Sequence, residues 1–237
     1  MDFQRFFLNF MEIKVFNTGI YSVNTLLVHI DEKNVFVVDP AGCIETQDEK
    51  IVSDYIKQNS LSLSGVLLTH GHFDHITGTK ILKQDFENIK IACHKDDFSM
   101  CGRNAFSVQW PFVSGCAPVS FSSALKNLPD PDVILKGGET LDLVFQSESE
   151  NLSALLKNWL VISTPGHTEG SVCFYNKKEN VLISGDTVFY HSYGRTDLPG
   201  GNQNKMNKSL TYIYRNFPES KVYPGHDVVG FFLSENE

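Results

Sequence analysis

The sequence predicts a mixed α/β layered domain, and three observations carry that prediction. Ten short β-branched runs recur along the chain, stretches of helical period lie between them, and no repeat or linker divides the whole. Of the 237 residues, 41% are hydrophobic. That is enough to fill a sizeable core, which excludes a disordered chain and a disulfide miniprotein. With 17 glycines and 9 prolines, a fibrous chain is excluded too.

The elements follow in order. Residues 1–10 are aromatic but lack the basic, apolar, small pattern of a signal peptide. They read as a tail or a misassigned start, because Met11 opens a good strand. Residues 11–237 read as a single domain. Strands are expected at Glu12–Phe16, Thr25–His29, Val35–Val38, Val66–Thr69 and Ile89–Ala92. Further strands are expected at Leu141–Phe145, Leu160–Ser163, Ser171–Tyr175, Val181–Ser184 and Lys221–Tyr223. A helix over Glu45–Asn59 would place Ile51, Val52, Tyr55 and Ile56 on one face. His75–Phe86 and Asn204–Phe217 are the other helices, the latter with a stripe of Leu210, Ile213, Tyr214 and Phe217. Two stretches break this rhythm. Lys95–Pro131 reads as an insertion, a cover or subunit contact whose Phe106, Trp110 and Phe112 argue for something packed. Gln146–Asn158 is polar and reads as an excursion between strands.

Charge narrows the partners. The net charge of −8 repels phosphate backbones and anionic membranes, so neither nucleic acid nor membrane is expected. No apolar run approaches the ~18 residues that span a bilayer. Five cysteines, an odd number without a CxxC pair, read as reduced thiols in a cytoplasmic protein. The oligomeric state is left open.

The informative residues follow the run Val66–Thr69. The chain there reads Thr69-His70-Gly71-His72-Phe73-Asp74-His75, four metal-type side chains within six residues. His70 and His72 project the same way from an extended segment, while Asp74 and His75 approach from a turn into a helix. Three later runs end alike. Pro165-Gly166-His167, Ser184-Gly185-Asp186 and Pro224-Gly225-His226 each follow an apolar strand with a small or proline residue, a glycine and a ligand. His29, His94 and His191 lack this setting and are assigned no role. All seven candidates are nitrogen or oxygen donors, which excludes a four-cysteine structural zinc and leaves zinc, iron or manganese in an open site. Seven ligands exceed the need of one tetrahedral ion. They suit two ions about 3.5–4 Å apart that activate a shared water as nucleophile and polarise a carbonyl.

In this order and spacing, over roughly Met11 to His226, the chain resembles the metallo-β-lactamase superfamily. The resemblance implies a four-layer αββα sandwich with the ions at one edge between the sheets. It implies that His70, His72 and His167 hold one ion, that Asp74, His75 and His226 hold the other, and that Asp186 bridges them. Asp74 would also manage protons on the bridging water, so Asp74 and Asp186 are the candidate catalytic residues. The β-lactamases themselves do not place an aspartate at the bridging position, and the flavodiiron proteins replace the second loop histidine with glutamate.

What remains resembles short glyoxalase-II-like hydrolases, which cleave thioesters such as S-lactoylglutathione to a hydroxy acid and a thiol. The matching segments are Gly185-Asp186-Thr187-Val188-Phe189 and Gly194-Arg195-Thr196-Asp197-Leu198-Pro199-Gly200-Gly201. The long enzymes of that branch carry Lys-x-Tyr in this loop and a helical C-terminal domain. Here the loop reads Arg195-Thr196-Asp197 and eleven residues follow His226, departures that bear on glutathione rather than on thioester chemistry. Arg195 can bind a substrate carboxylate through its fork, or pair with Asp197 as scaffold. Phe189, Tyr190 and Tyr193 can wall the pocket or pack the loop. The expectation is therefore a hydrolase of a small acyl thioester that uses two divalent ions, zinc before iron or manganese. The rivals are a mono-iron persulfide dioxygenase held by His70, His167 and Asp186, a lactonase or other ester hydrolase, and a non-catalytic metal-binding module.

Overall fold

The computed structural model describes residues 11–236. The tail or misassigned start expected at 1–10 lies outside the described residues. The apolar runs pair into two mixed sheets. The first, in the order β1 (Ile13–Thr18), β2 (Val23–His29), β3 (Asn34–Val38), β4 (Ser62–Leu67), β5 (Lys90–His94) and β6 (Val133–Leu135), is antiparallel up to β3 and parallel beyond it. The second runs β7 (Trp159–Ser163), β8 (Val172–Asn176), β9 (Val181–Gly185), β10 (Lys221–Pro224) and β11 (Phe231–Phe232), with β9 and β10 parallel and the rest antiparallel.

The central strands are apolar on both faces, so each sheet needs cover on two sides. Phe36, Val38 and Leu67 meet Val161, Phe174 and Ile183 in a core between the sheets. Their neighbours Val35, Val37, Val66 and Leu68 face outward and are covered by Val52 and Ile56 of α1 (Ile51–Gln58) and Leu82 of α3 (Thr79–Asp85). Ile162, Cys173, Leu182 and Val222 on the far face of the second sheet pack on Ile213 of α7 (Gln203–Asn216). The layers are helix, sheet, sheet, helix: the αββα sandwich. Backbone hydrogen bonds clamp the sheets together where the ligand turns lie, from Asn24 N–H to Gly225 O at 2.7 Å and from Val172 N–H to Thr69 O at 2.8 Å.

Five stretches differ from the sequence expectation. Leu141–Phe145 is a short helix, α5, rather than a strand. Alternation would put Leu141 and Leu143 on one face, but Leu141 and Val144 are buried while Leu143 is 63% exposed, the spacing of a helical turn. Val133–Leu135, only three residues, forms the parallel edge strand β6 instead. The polar stretch 146–158 contains a helix, α6 (Glu150–Leu156), whose Leu156 enters the inter-sheet core. Residues 95–131 carry α4 (Ala105–Val113) and 3-10 turns, and their Cys101, Ala105, Val113, Phe121 and Leu125 pack into the outer core of the first sheet. The helix expected over His75–Phe86 is broken into α2 (Phe73–Ile76) and α3. No described helix is long and apolar enough to cross a membrane.

Candidate metal centre

Every candidate ligand sits just past the C-terminal end of a strand. His70, His72, Asp74 and His75 follow β4, His167 follows β7, Asp186 follows β9 and His226 follows β10. β9 and β10 are parallel, and two antiparallel steps through β8 set β7 in the same direction. All these turns therefore open on one rim. At Gly225 a β-carbon would stand 2.8 Å from His75 Cε1 and closer still to Asp186 Oδ1, so only glycine lets this turn approach them.

The candidate ligands form two groups, and Asp39 with His70 and His75 makes a third cluster of the same kind. Nitrogen atoms of His70, His72 and His167 lie within 4.8 Å of one another, as do ligand atoms of Asp74, His75 and His226. In the first group His72 Nδ1 faces His167 Nε2 at 2.7 Å. Each outer ring nitrogen with a partner is fixed by it. His167 Nδ1–H donates to the carbonyl of Arg195 at 2.7 Å, and His70 Nδ1–H donates to Thr69 Oγ1 at 3.0 Å. The Thr69 hydroxyl is itself committed as donor to Asp39 at 2.6 Å. These bonds leave His70 Nε2 a bare, buried lone pair without a partner, and His72 Nε2 is likewise unpartnered. Burial first, then the crowd of imidazoles, pushes both groups' pKa well below the ordinary histidine range.

The second group is rich in carboxylate. Asp74 Oδ2 lies 3.4 Å from His226 Nε2 and 3.7 Å from His75 Nε2, and the two imidazoles stand 3.2 Å apart. Burial disfavours the imidazolium of His75, but Asp186, Asp74 and Asp39 outweigh it and push its pKa up to about 10. Burial likewise opposes ionisation of Asp74, and His75 with His226 overrides it and holds that carboxyl well below the usual range. Asp186 stands between the groups, 3.3 Å from His167 Nε2, 3.6 Å from His75 Nε2 and 3.7 Å from His226 Nε2. Its Oδ1 is buried without a partner. Bare imidazole nitrogen and carboxylate oxygen converging from two sheets fit hard or borderline divalent cations.

Two supports escaped the sequence reading. Asp39 accepts from Thr69 N–H at 2.7 Å and from His75 Nδ1 at 3.0 Å, which fixes the ring of His75. The carbonyl of Tyr21 receives Nδ1–H of His226 at 3.2 Å. Asp39 had a usable signal: it ends the apolar run Val35–Val38 ahead of a proline, much as the ligand turns do. Among the substrate candidates, Arg195 is 61% exposed and makes a two-pronged pair with Asp197, both contacts at 2.7 Å. Phe189 approaches His226 edge-on at 6.1 Å, Tyr190 lies against His191 and Phe231, and the Tyr193 hydroxyl accepts from Gln203.

Comparison with known proteins agrees with this geometry. The chain is 33% identical over 222 residues to an uncharacterized protein of Aquifex aeolicus, covering 91% of this chain and 90% of that one. It is 30% identical over 202 residues to the hydroxyacylglutathione hydrolase GloC of Haemophilus influenzae, covering 84% and 82% of the two chains. A hydroxyacylglutathione hydrolase of Francisella tularensis is 27% identical, and the match spans 60% of that protein's length and 83% of this chain. Among solved structures, the BLEG-1 B3 metallo-β-lactamase superposes with a TM-score of 0.76 at 25% identity, covering 94% of this chain and 95% of that one. TTHA1623 in a di-iron-bound form gives 0.71 at 24% identity, covering 93% and 95%. The family model for the metallo-β-lactamase superfamily matches residues 18–226, a span that closes on the last of the seven candidate ligands, and the chain belongs to that superfamily.

Proposed function

We propose that this superfamily hydrolase is a dinuclear metal-dependent hydrolase of a small acyl thioester, glyoxalase-II-like in its chemistry. The observation that carries the reading is the position of Asp186, within 3.7 Å of imidazoles from both ligand groups. On this reading His70, His72 and His167 hold one divalent ion, Asp74, His75 and His226 hold the second, and Asp186 is shared. Two such ions, when bound, supply Lewis-acid activation of water and of the substrate carbonyl.

The chain's own residues do the rest. Asp74, ionised through the working range, accepts a hydrogen bond from the attacking water and orients it. The carbonyls of Arg195 and Tyr21, with Asp39, hold the imidazoles in one tautomer and one orientation. A thiol with pKa near ~8.5 leaves as thiolate close to neutral pH, so one proton acceptor suffices where an amine leaving group would need an acid as well. Phe189 and Tyr190 would wall the acyl pocket and Arg195 would meet a substrate carboxylate. The Haemophilus and Francisella relatives support thioester chemistry by their names. Five free thiols, four of them buried, support a reducing, cytoplasmic setting.

The test pairs elemental analysis of the isolated protein with thiol release from S-lactoylglutathione, assayed beside a lactone and a cephalosporin. Two ions per chain, with thiol release that a chelator abolishes and zinc, iron or manganese restores, is the expected result. One iron per chain, with oxygen uptake on a persulfide, would overturn hydrolysis. Turnover of the lactone or cephalosporin alone would move the substrate class.

A further inference from the structure

Residues 95–131 contribute no candidate ligand, yet two of their side chains grip the backbone between two ligands of the first group. Gly71 lies between His70 and His72. Its N–H donates to Asp97 Oδ2 at 2.8 Å and its carbonyl accepts from Gln109 Nε2 at 2.8 Å. Asp97 also reaches the turn from the other sheet. Gly170 N–H donates to Oδ1 at 2.8 Å, and the hydroxyl of Thr168, the residue after His167, donates to Oδ2 at 2.7 Å. One carboxylate, 1% exposed, thus ties the turn of His70 and His72 to the turn of His167. Burying a carboxylate is costly unless donors offset it, and here every donor belongs to one of the two ligand turns.

The glycines are shaped to this residue. A β-carbon at Gly170 would stand 2.6 Å from Asp97 Cγ, and one at Gly71 would stand 3.1 Å from Asp97 Cβ. Gln109 is also buried, and it holds the carbonyl of Met100 at 2.7 Å, which anchors the Asp97 turn to α4.

We propose that Asp97, backed by Gln109, is the positioning residue of the first ion position. It sets the placement of the His70–His72 pair against His167, and so the affinity of that position, without touching the ion. The inference rests on the reading of these three histidines as ligands.

The test separates the two positions by genetic background. Cobalt(II) is titrated into metal-free protein carrying His226→Ala, which keeps the first group whole, and into protein carrying His72→Ala, which keeps the second. Adding Asp97→Asn should weaken cobalt binding ~10- to 100-fold in the first background and leave it within ~2-fold in the second. Equal losses in both backgrounds would make Asp97 general scaffold, and no loss in either would remove its role; both overturn the proposal. Should Asp97→Asn fail to fold, Thr168→Val deletes one of the three donors at constant shape. It must then weaken binding in the first background alone. Unmutated protein that takes up no cobalt would instead sink the metal reading beneath the inference.

Discussion

The two ligand groups share one rim but have opposite electrostatic character. The first is three imidazoles, of which His70 and His72 are kept neutral by burial and then by the imidazoles of His75 and His167. The second surrounds His75 with three carboxylates and keeps it charged, its pKa near 10. The difference comes from the carboxylates: Asp186 and Asp74 beside Nε2 of His75, and then Asp39 at its Nδ1, outweigh burial, whereas His70 is buried among imidazoles and leans only on the neutral hydroxyl of Thr69. An ion at the first group would meet neutral imidazoles, while one at the second would have to displace the protons that balance its carboxylates.

The largest expected effect is at the first group. His72→Ala should remove one ion and lower hydrolysis by more than ~100-fold, beyond the loss typical of residues that merely orient a ligand. The fold should survive, because the turn lies at the rim of the core. Metal content and steady-state rates check this, and near-normal turnover would count against the assignment. Asp39→Asn sharpens the contrast. It should weaken the second position ~10- to 100-fold and change the first less, as read by cobalt titration. Equal weakening of both would mean that the groups are not distinct.

Proton linkage follows in size. At pH 8 the metal-free protein still carries a proton on His75, whose pKa is about 10, and an ion at the second position must release it. Affinity there should rise about tenfold per pH unit up to that pKa, while His70 and His72 release nothing at the first position. Calorimetry in buffers of different ionisation enthalpy counts the protons. The same shifts shape the stability of the metal-free protein. The raised pKa of His75 stabilises the fold fully below pH 6.5, and that contribution is lost as pH climbs through about 10. The lowered values of His70 and His72 work at the other end and cost stability as pH falls below 6.5, because the unfolded chain takes up protons that the fold refuses. Thermal unfolding from pH 5 to 10 should trace a maximum between these limits.

The smallest effect belongs to Arg195→Ala. Its carbonyl, which orients His167, survives the substitution, and the exposed pair with Asp197 contributes little to the fold. KM should rise a few-fold with kcat retained if the fork meets substrate, and unchanged kinetics would return the side chain to scaffold.

The turns that carry the candidate ligands could be read as a pattern because each is local. Apolar strand, small residue or proline, glycine and ligand form a pattern only a few residues long, and it recurs at His167, Asp186 and His226. Leu141–Phe145 misled because five apolar-rich residues fit either period, and only packing against β7 decides. The stretch 95–131 had no readable period, since it is built of 3-10 turns and a short helix that fill a surface already made by other elements.

The sequence by itself determined a layered α/β plan and the candidate donor atoms, and the two-sheet sandwich followed from the resemblance those residues carry. Alternation and side-chain chemistry are properties of neighbouring residues. Only the tertiary structure decided which donors meet and what holds them. Asp39 reaches His75 across 36 positions, Asp97 reaches Gly170 across 73, and the carbonyl of Tyr21 reaches His226 across 205. A hydrogen bond over such a separation leaves no local trace, because it exists only once strands far apart in the chain have been brought together.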